Sequence, residues 1–170
     1  CLLEFIHILI NNIKKVVSYI IYLNNDPLKR YFNSINNKLS LKDIYTIAIT
    51  GSCGKTSTSL YIYYFLKKKR KNVCYIGTHK IYYNELSIDT DNTTLEANVL
   101  INIFIKYNIK PSIIVMEVSS HGINLARINI FNFNIIVLTN LGTDHLDFHL
   151  NINNYHNVKL AFLNSSIYTN

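Results

Sequence analysis

Tryptophan is absent from the 170 residues, methionine occurs once, proline twice and glycine five times. So little proline and glycine excludes a collagen-like repeat and a Pro/Gly-rich low-complexity chain. Charge is also sparse: 16% of residues are Asp, Glu, Lys or Arg, against 49% hydrophobic. That balance offers enough apolar surface to offset ordering entropy and excludes a wholly disordered chain. The three cysteines, Cys1, Cys53 and Cys74, are odd in number and form no CxxC pair. They indicate neither a disulfide framework nor a zinc site, and a reducing cytoplasm fits them best. Long apolar runs are missing too. Leu2 to Leu23 is broken by Asn11, Asn12, Lys14 and Lys15, short of the roughly 18 apolar residues a membrane span requires. No basic segment precedes it and no small-residue cleavage site follows, so it reads as an amphipathic helix.

What is present is a length suited to one domain with a real core. The net charge is +7, and it is unevenly spread: residues 1 to 71 hold 12 basic and 3 acidic side chains, residues 72 to 170 hold 5 and 7. The densest basic cluster, Lys67 to Lys71, closes a helix-like segment. It reads as a solvated end that compensates the helix dipole, because no aromatic-plus-basic recognition motif accompanies it. Nucleic acid is therefore not an expected partner.

Residues 27 to 43, rich in Asn and Lys, read as a linker. The pattern then becomes regular. Ile44 to Thr50 is a β-rich run followed by a Gly-containing turn and a helix over Lys55 to Lys71. Val73 to Ile76 reads as a strand, Lys80 to Ile88 as a hairpin around Asn84-Glu85, and Leu95 to Tyr107 as a helix. Ser112 to Val118 and Asn134 to Thr139 are apolar runs of the kind buried on both faces of a sheet. Alternating strands and helices give an α/β class: a mostly parallel sheet with flanking helices, in which chemistry belongs just past the strands' carboxyl ends.

The unusual residues fall there. Gly51, Ser52, Cys53, Gly54, Lys55, Thr56 and Ser57 lie between a strand and a helix, where backbone N–H groups and the helix N-terminus can cradle a triphosphate. Lys55 would neutralise phosphate charge and the Thr56 hydroxyl would reach magnesium. The general phosphate-loop pattern wants a glycine where this chain has Ile49. Glu117 ends an apolar strand, and a carboxylate there needs a cation or hydrogen-bond donors to offset desolvation. Ser119, Ser120 and His121 follow without the Gly-x-Ser-x-Gly elbow of a Ser/His hydrolase. Asp144 to His149 packs two carboxylates and two imidazoles into six residues. Zinc ligation is a conceivable use, but a phosphate loop calls for magnesium and oxygen ligands, with one imidazole supplementing the carboxylates.

The ordered series TGSCGKTS, Asn92-Thr93-Thr94, MEVSSH with Arg127 eight residues after Ser119, TNL, DHLDFH, then Tyr155 and Lys159 resembles the Mur ligase family. MEVSSH resembles its tripeptide-synthetase branch. The similarity runs from about Leu39 to Phe162, and earlier residues resemble the junction to the family's N-terminal domain. The resemblance implies the first half of a Mur ligase central domain, its phosphate loop included. The implied activity is ATP-dependent joining of an amino acid to UDP-N-acetylmuramoyl-L-alanyl-D-glutamate through an acyl phosphate, in peptidoglycan precursor synthesis. It also implies ATP and Mg2+ as cofactors, a cytoplasmic location, no membrane span, and a monomer when complete.

Carried over by position, residues 51 to 57 would hold ATP phosphates, and Thr56, Glu117, His145 and Lys159 would surround magnesium. Lys55, Lys159 and His145 would be the catalytic set. Asn92, Thr93, Thr94, Ser119 and Arg127 would hold the UDP-muramoyl dipeptide. Lys159, ten residues after His149, matches a lysine that the family carbamylates, which turns a cation into an anionic oxygen ligand. Three positions depart from the family pattern: Cys53 for Asn, Leu95 for Pro, and Leu125 for a substrate-binding Gln of some members.

The first residue is Cys rather than Met, and the likeness stops soon after Lys159. The expectation is a partial chain, with residues 1 to 40 a remnant of the N-terminal domain plus linker, residues 41 to 170 a partial central domain, and the C-terminal ligase domain absent. Such a chain alone is not expected to form the amide. Two alternatives remain beside this reading: a relic or repurposed phosphate-binding module, and a related ligase of the folylpolyglutamate synthase type.

Overall fold

The computed structural model describes residues 41–165. The leading helix and most of the expected linker lie outside the described residues. The linker's last three residues are corrected by the structure, because Leu41–Asp43 form a 3-10 turn with Leu41 fully buried. An apolar side chain that the core accepts ends the linker earlier than its polar neighbours suggest.

Strand β1 (Tyr45–Thr50) leads through the Gly51–Gly54 loop into helix α1 (Lys55–Lys68). β2 (Val73–Gly77), β3 (Lys80–Tyr83) and β4 (Leu86–Asp89) follow, then α2 (Ala97–Lys106), β5 (Ile113–Glu117) and the short α3 (Ser120–Asn124). β6 (Phe133–Leu138), α4 (Leu146–His149) and α5 (Ile152–Ser165) complete the described order. The sheet runs β4-β3-β2-β5-β1-β6. Its β2, β5, β1 and β6 are parallel, and the β3–β4 hairpin extends it antiparallel. The α/β class is therefore as the alternation of apolar runs implies.

The core lies where α1 crosses the sheet. Ile47, Ile49, Tyr63, Val73, Tyr75 and Val115 are buried together, with Leu60 and Leu66 packed against them. Tyr75 stacks on Tyr82 at 5.4 Å and meets Tyr63 at 5.9 Å between ring centroids. On α2, Leu100, Ile101 and Phe104 are buried at the i, i+1, i+4 spacing of a core-facing stripe.

Boundaries shift where the backbone dictates. α1 stops at Lys68 rather than Lys71, since Arg70 takes a left-handed φ of 54°, and Lys67 to Lys71 are all exposed. α2 begins at Ala97, not Leu95, whose side chain is buried ahead of the helix. β6 corrects a stronger expectation. Asn134 and Ile135 are exposed, because β6 is an edge strand of the sheet as described, paired only with β1. The carboxyl ends of β1, β2, β5 and β6 share one edge of the sheet and bring Thr50, Gly77, Glu117 and Leu138 to it.

Candidate functional site

The phosphate-loop candidate is shaped by two glycines and clamped from β6. Gly51 has a φ of 144° and Gly54 a φ of 80°, values that favour glycine. A Cβ on Gly51 would overlap the Thr139 hydroxyl. Asn140 Oδ1 accepts from Ser52 N at 3.1 Å and Cys53 N at 3.0 Å, while its Nδ2 donates to Cys53 O at 3.0 Å. Thr139 Oγ1 donates to Cys53 O at 2.6 Å. The Ser52 and Cys53 amides are thus turned to Asn140. The first intrahelical bond of α1 runs from Thr58 N to Gly54 O, which leaves the amides of Lys55, Thr56 and Ser57 open at the helix start as anion donors.

Two lysines converge on the loop. Lys55 Nζ donates to Gly51 O at 2.8 Å and Ser52 O at 3.1 Å, and Lys159 Nζ donates to the same Gly51 O at 3.0 Å. Lys159 is only 1% exposed and its ammonium lies 4.6 Å from the centre of the Tyr155 ring. Burial, and then the Lys55 charge, push its pKa from 10.5 down to about 8. Such an amine is neutral near neutral pH far more often than an ordinary solvated lysine. The depressed value means that the unfolded chain binds more protons between about pH 8 and 10.5, so this group's contribution to stability rises with pH across that window. Denaturant unfolding at pH 7, 8, 9 and 10 should show wild type gaining on Lys159→Met as pH rises; parallel curves would contradict the burial argument.

Glu117 is fully buried, and the four groups that donate to its carboxylate, three hydroxyls and one backbone N–H, are neutral. Oε1 accepts from the Tyr75 hydroxyl at 2.6 Å and Thr78 N at 3.1 Å. Oε2 accepts from Thr56 Oγ1 at 2.9 Å and Thr78 Oγ1 at 3.0 Å. Burial and the bond to Glu117 both push the Tyr75 phenol up, so it stays a proton donor. Gly77, next to Thr78, leaves room for this arrangement: a Cβ there would overlap both Tyr75 and Glu117 Oε1.

The expected substrate residues flank that carboxylate. Asn92 is exposed, and Thr93 Oγ1 lies 3.1 Å from Thr78 Oγ1. Thr94 is buried, and its hydroxyl ties the loop to β5 through Glu117 O at 3.2 Å and Ser119 N at 2.9 Å. Ser119 Oγ caps α3 by accepting from Gly122 N. Arg127 donates to Thr94 O at 3.1 Å and pairs with Glu96 at 2.7 Å.

His145 takes a left-handed φ of 52°, faces Asp144 at 3.4 Å, and sets its ring 4.7 Å from that of His121 and 6.4 Å from that of Tyr155, whose hydroxyl donates to Ser52 Oγ at 2.8 Å. Burial and then the His145 ring lower the His121 pKa. Among the described residues, no group of three or more His, Cys, Asp or Glu is placed to hold a metal ion.

The profile of the Mur ligase middle domain matches residues 49–168. The chain belongs to the Mur ligase family. A relative from Syntrophomonas wolfei subsp. wolfei, named UDP-N-acetylmuramoyl-L-alanyl-D-glutamate--2,6-diaminopimelate ligase, is 40% identical over 121 residues, 70% of this chain and 24% of its own length. One of the same name from Helicobacter pylori is 36% identical over 135 residues, 77% of this chain and 30% of its own. A solved structure of a ligase of that name superposes with a TM-score of 0.64 at 28% identity, covering 77% of this chain and 27% of the other. The chain spans about a quarter of the length of the curated relatives it matches.

In this Mur ligase chain, sequence reasoning passed over Tyr75 and Thr78 and gave Thr139 and Asn140 no role. The available signal was position for Thr78, Thr139 and Asn140, which lie just past the carboxyl ends of β2 and β6, whereas Tyr75 sits in the middle of β2 and carries no such mark.

Proposed function

We propose that this Mur ligase chain serves an ATP-dependent acid–amino-acid ligase that extends UDP-N-acetylmuramoyl-L-alanyl-D-glutamate. In this reading the amine is 2,6-diaminopimelate, as in the relatives' names, and the enzyme acts as a cytoplasmic monomer. The observation that carries it is the buried Glu117 carboxylate, held 2.9 Å from the Thr56 hydroxyl beside a loop on which Lys55 and Lys159 converge.

The substrate carboxylate attacks the terminal phosphorus of ATP, releasing ADP and leaving an acyl phosphate, and the amine then displaces phosphate to form the amide. Little covalent work falls to the protein, whose task is positioning and charge stabilisation. The open amides of Lys55, Thr56 and Ser57 and the Lys55 ammonium take phosphate oxygens. Thr56 and Glu117 offer the hard oxygen donors that suit Mg2+, and all the hydrogen-bond partners of Glu117 are neutral, so a cation there has no ion pair of that carboxylate to displace. Magnesium, when bound, offsets charge between the nucleotide and the attacking carboxylate. Lys159 joins this set as a carbamate, formed when its neutral amine attacks CO2 and loses a proton. His145 supplies the one imidazole beside these oxygen donors. Asn92, Thr93, Thr94, Ser119 and Arg127 receive the UDP-muramoyl dipeptide.

Lys55→Ala should weaken Mg2+–ATP binding by tenfold or more, roughly the worth of one charge-assisted hydrogen bond. Calorimetric titration of the full-length protein checks this. Unchanged affinity would count against the phosphate-loop assignment, and absence of phosphate release dependent on both the dipeptide and the amine would count against the ligase reading.

A further inference from the structure

The hydroxyl groups around Glu117 have a direction. Thr78 Oγ1 donates to Glu117 Oε2 at 3.0 Å and, as a hydroxyl, spends its single proton there. The 3.1 Å contact between Thr78 Oγ1 and Thr93 Oγ1 must then be donated by Thr93. This sets an ordered chain from Thr93 through Thr78 to Glu117, whose Oε2 also receives the Thr56 hydroxyl at the start of α1. Thr93 is left to present its oxygen outward as an acceptor.

We infer that Thr78 is a positioning residue that couples the 92–94 loop to the Glu117–Thr56 pair, fixing Thr93 as a hydrogen-bond acceptor for an N–H or O–H group of the substrate. The inference rests on the proposed roles of that loop and that pair. Thr78 is well placed for the task, because its backbone N–H holds Oε1 at 3.1 Å while its hydroxyl holds Oε2. One residue therefore fixes the plane of the carboxylate and the rotor of Thr93. Thr94 reinforces the link by bonding Glu117 O and Ser119 N from the same loop. Coupling between sites is reciprocal in binding free energy, so a ligand that orders Thr93 favours the carboxylate orientation that a cation would meet, and the reverse.

The test measures affinity of the full-length protein for UDP-N-acetylmuramoyl-L-alanyl-D-glutamate by calorimetry, with and without Mg2+ and a non-hydrolysable ATP analogue. Wild type is expected to bind the dipeptide about tenfold more tightly when Mg2+ and nucleotide are present, the scale of one hydrogen bond to a charged group. Thr78→Val, which keeps the shape and the backbone N–H but not the hydroxyl, should lose that gain, and Thr78→Ser should keep it. A merely structural role would lower affinity equally in both conditions. Should Thr78→Val fail to fold, Thr93→Val interrupts the same chain at its outer end and should also lose the gain. Retention of the tenfold gain in the valine variant, or a wild type that binds both ligands without any gain, overturns the inference alone. A wild type that binds neither ligand overturns the ligase reading and this inference with it.

Discussion

Lys159→Ala in the full-length protein is expected to lose most ligation activity, and partial recovery with added acetate or formate is the expected companion result. A lysine on a helix is ordinarily solvated, but this one is 1% exposed, shares the Gly51 carbonyl with Lys55, and has its pKa pushed down to about 8. Two ammonium groups on one carbonyl are mutually repulsive, and converting one to an anionic carbamate removes that repulsion while supplying an oxygen ligand. Alanine leaves the site short of negative charge, and a small carboxylate entering the cavity replaces part of it. Ligation by the variant is measured with and without the additive. Full activity without additive would sink the assignment.

Gly77→Ala should be a strongly damaging single-methyl change near the site. The added carbon would overlap both the Tyr75 phenol and Glu117 Oε1, two groups that are buried and bonded to each other at 2.6 Å. Neither can retreat, since Tyr75 is stacked on Tyr82 and Glu117 ends β5 beside β2. Overpacking of this kind costs about 3 kcal/mol, and it also displaces the carboxylate on which the proposed metal site depends. Thermal unfolding should show a fall in Tm, and Mg2+-dependent nucleotide affinity should drop with it. A variant with wild-type Tm and affinity would refute the close packing at this point.

The strands and helices were legible because their signals are local. The apolar run Ile113–Glu117 and the glycines flanking Lys55 announce themselves within a few residues. Glu117 was legible as well, since a carboxylate ending an apolar strand demands partners. Its partners were not. Tyr75 and Thr78 reach it only because β2 lies beside β5 with Ile76 opposite Met116, and neighbour and register are decided by the whole sheet. The exposure of β6 escaped for the same reason, since an apolar run reads alike in a central or an edge strand. Lys159 stood out through family resemblance, because nothing in its own neighbours along the chain says that it will be buried. His145 was placed by the density of its motif, and the left-handed backbone that turns it to Asp144 and His121 leaves no mark in composition.

The Asn140 clamp also bears on the order of events as the chain is made. Its bonds to Ser52 and Cys53 span 88 and 87 residues, so the loop's glycines and Lys55 emerge long before the side chain that holds them. Contacts this distant in sequence are closed late and against a large entropy cost. A growing chain that has not yet reached Asn140 carries the sequence of a phosphate loop without its shape. Nucleotide capture is therefore expected to switch on abruptly with chain length, once β6 has docked on β1, rather than to grow with each added residue.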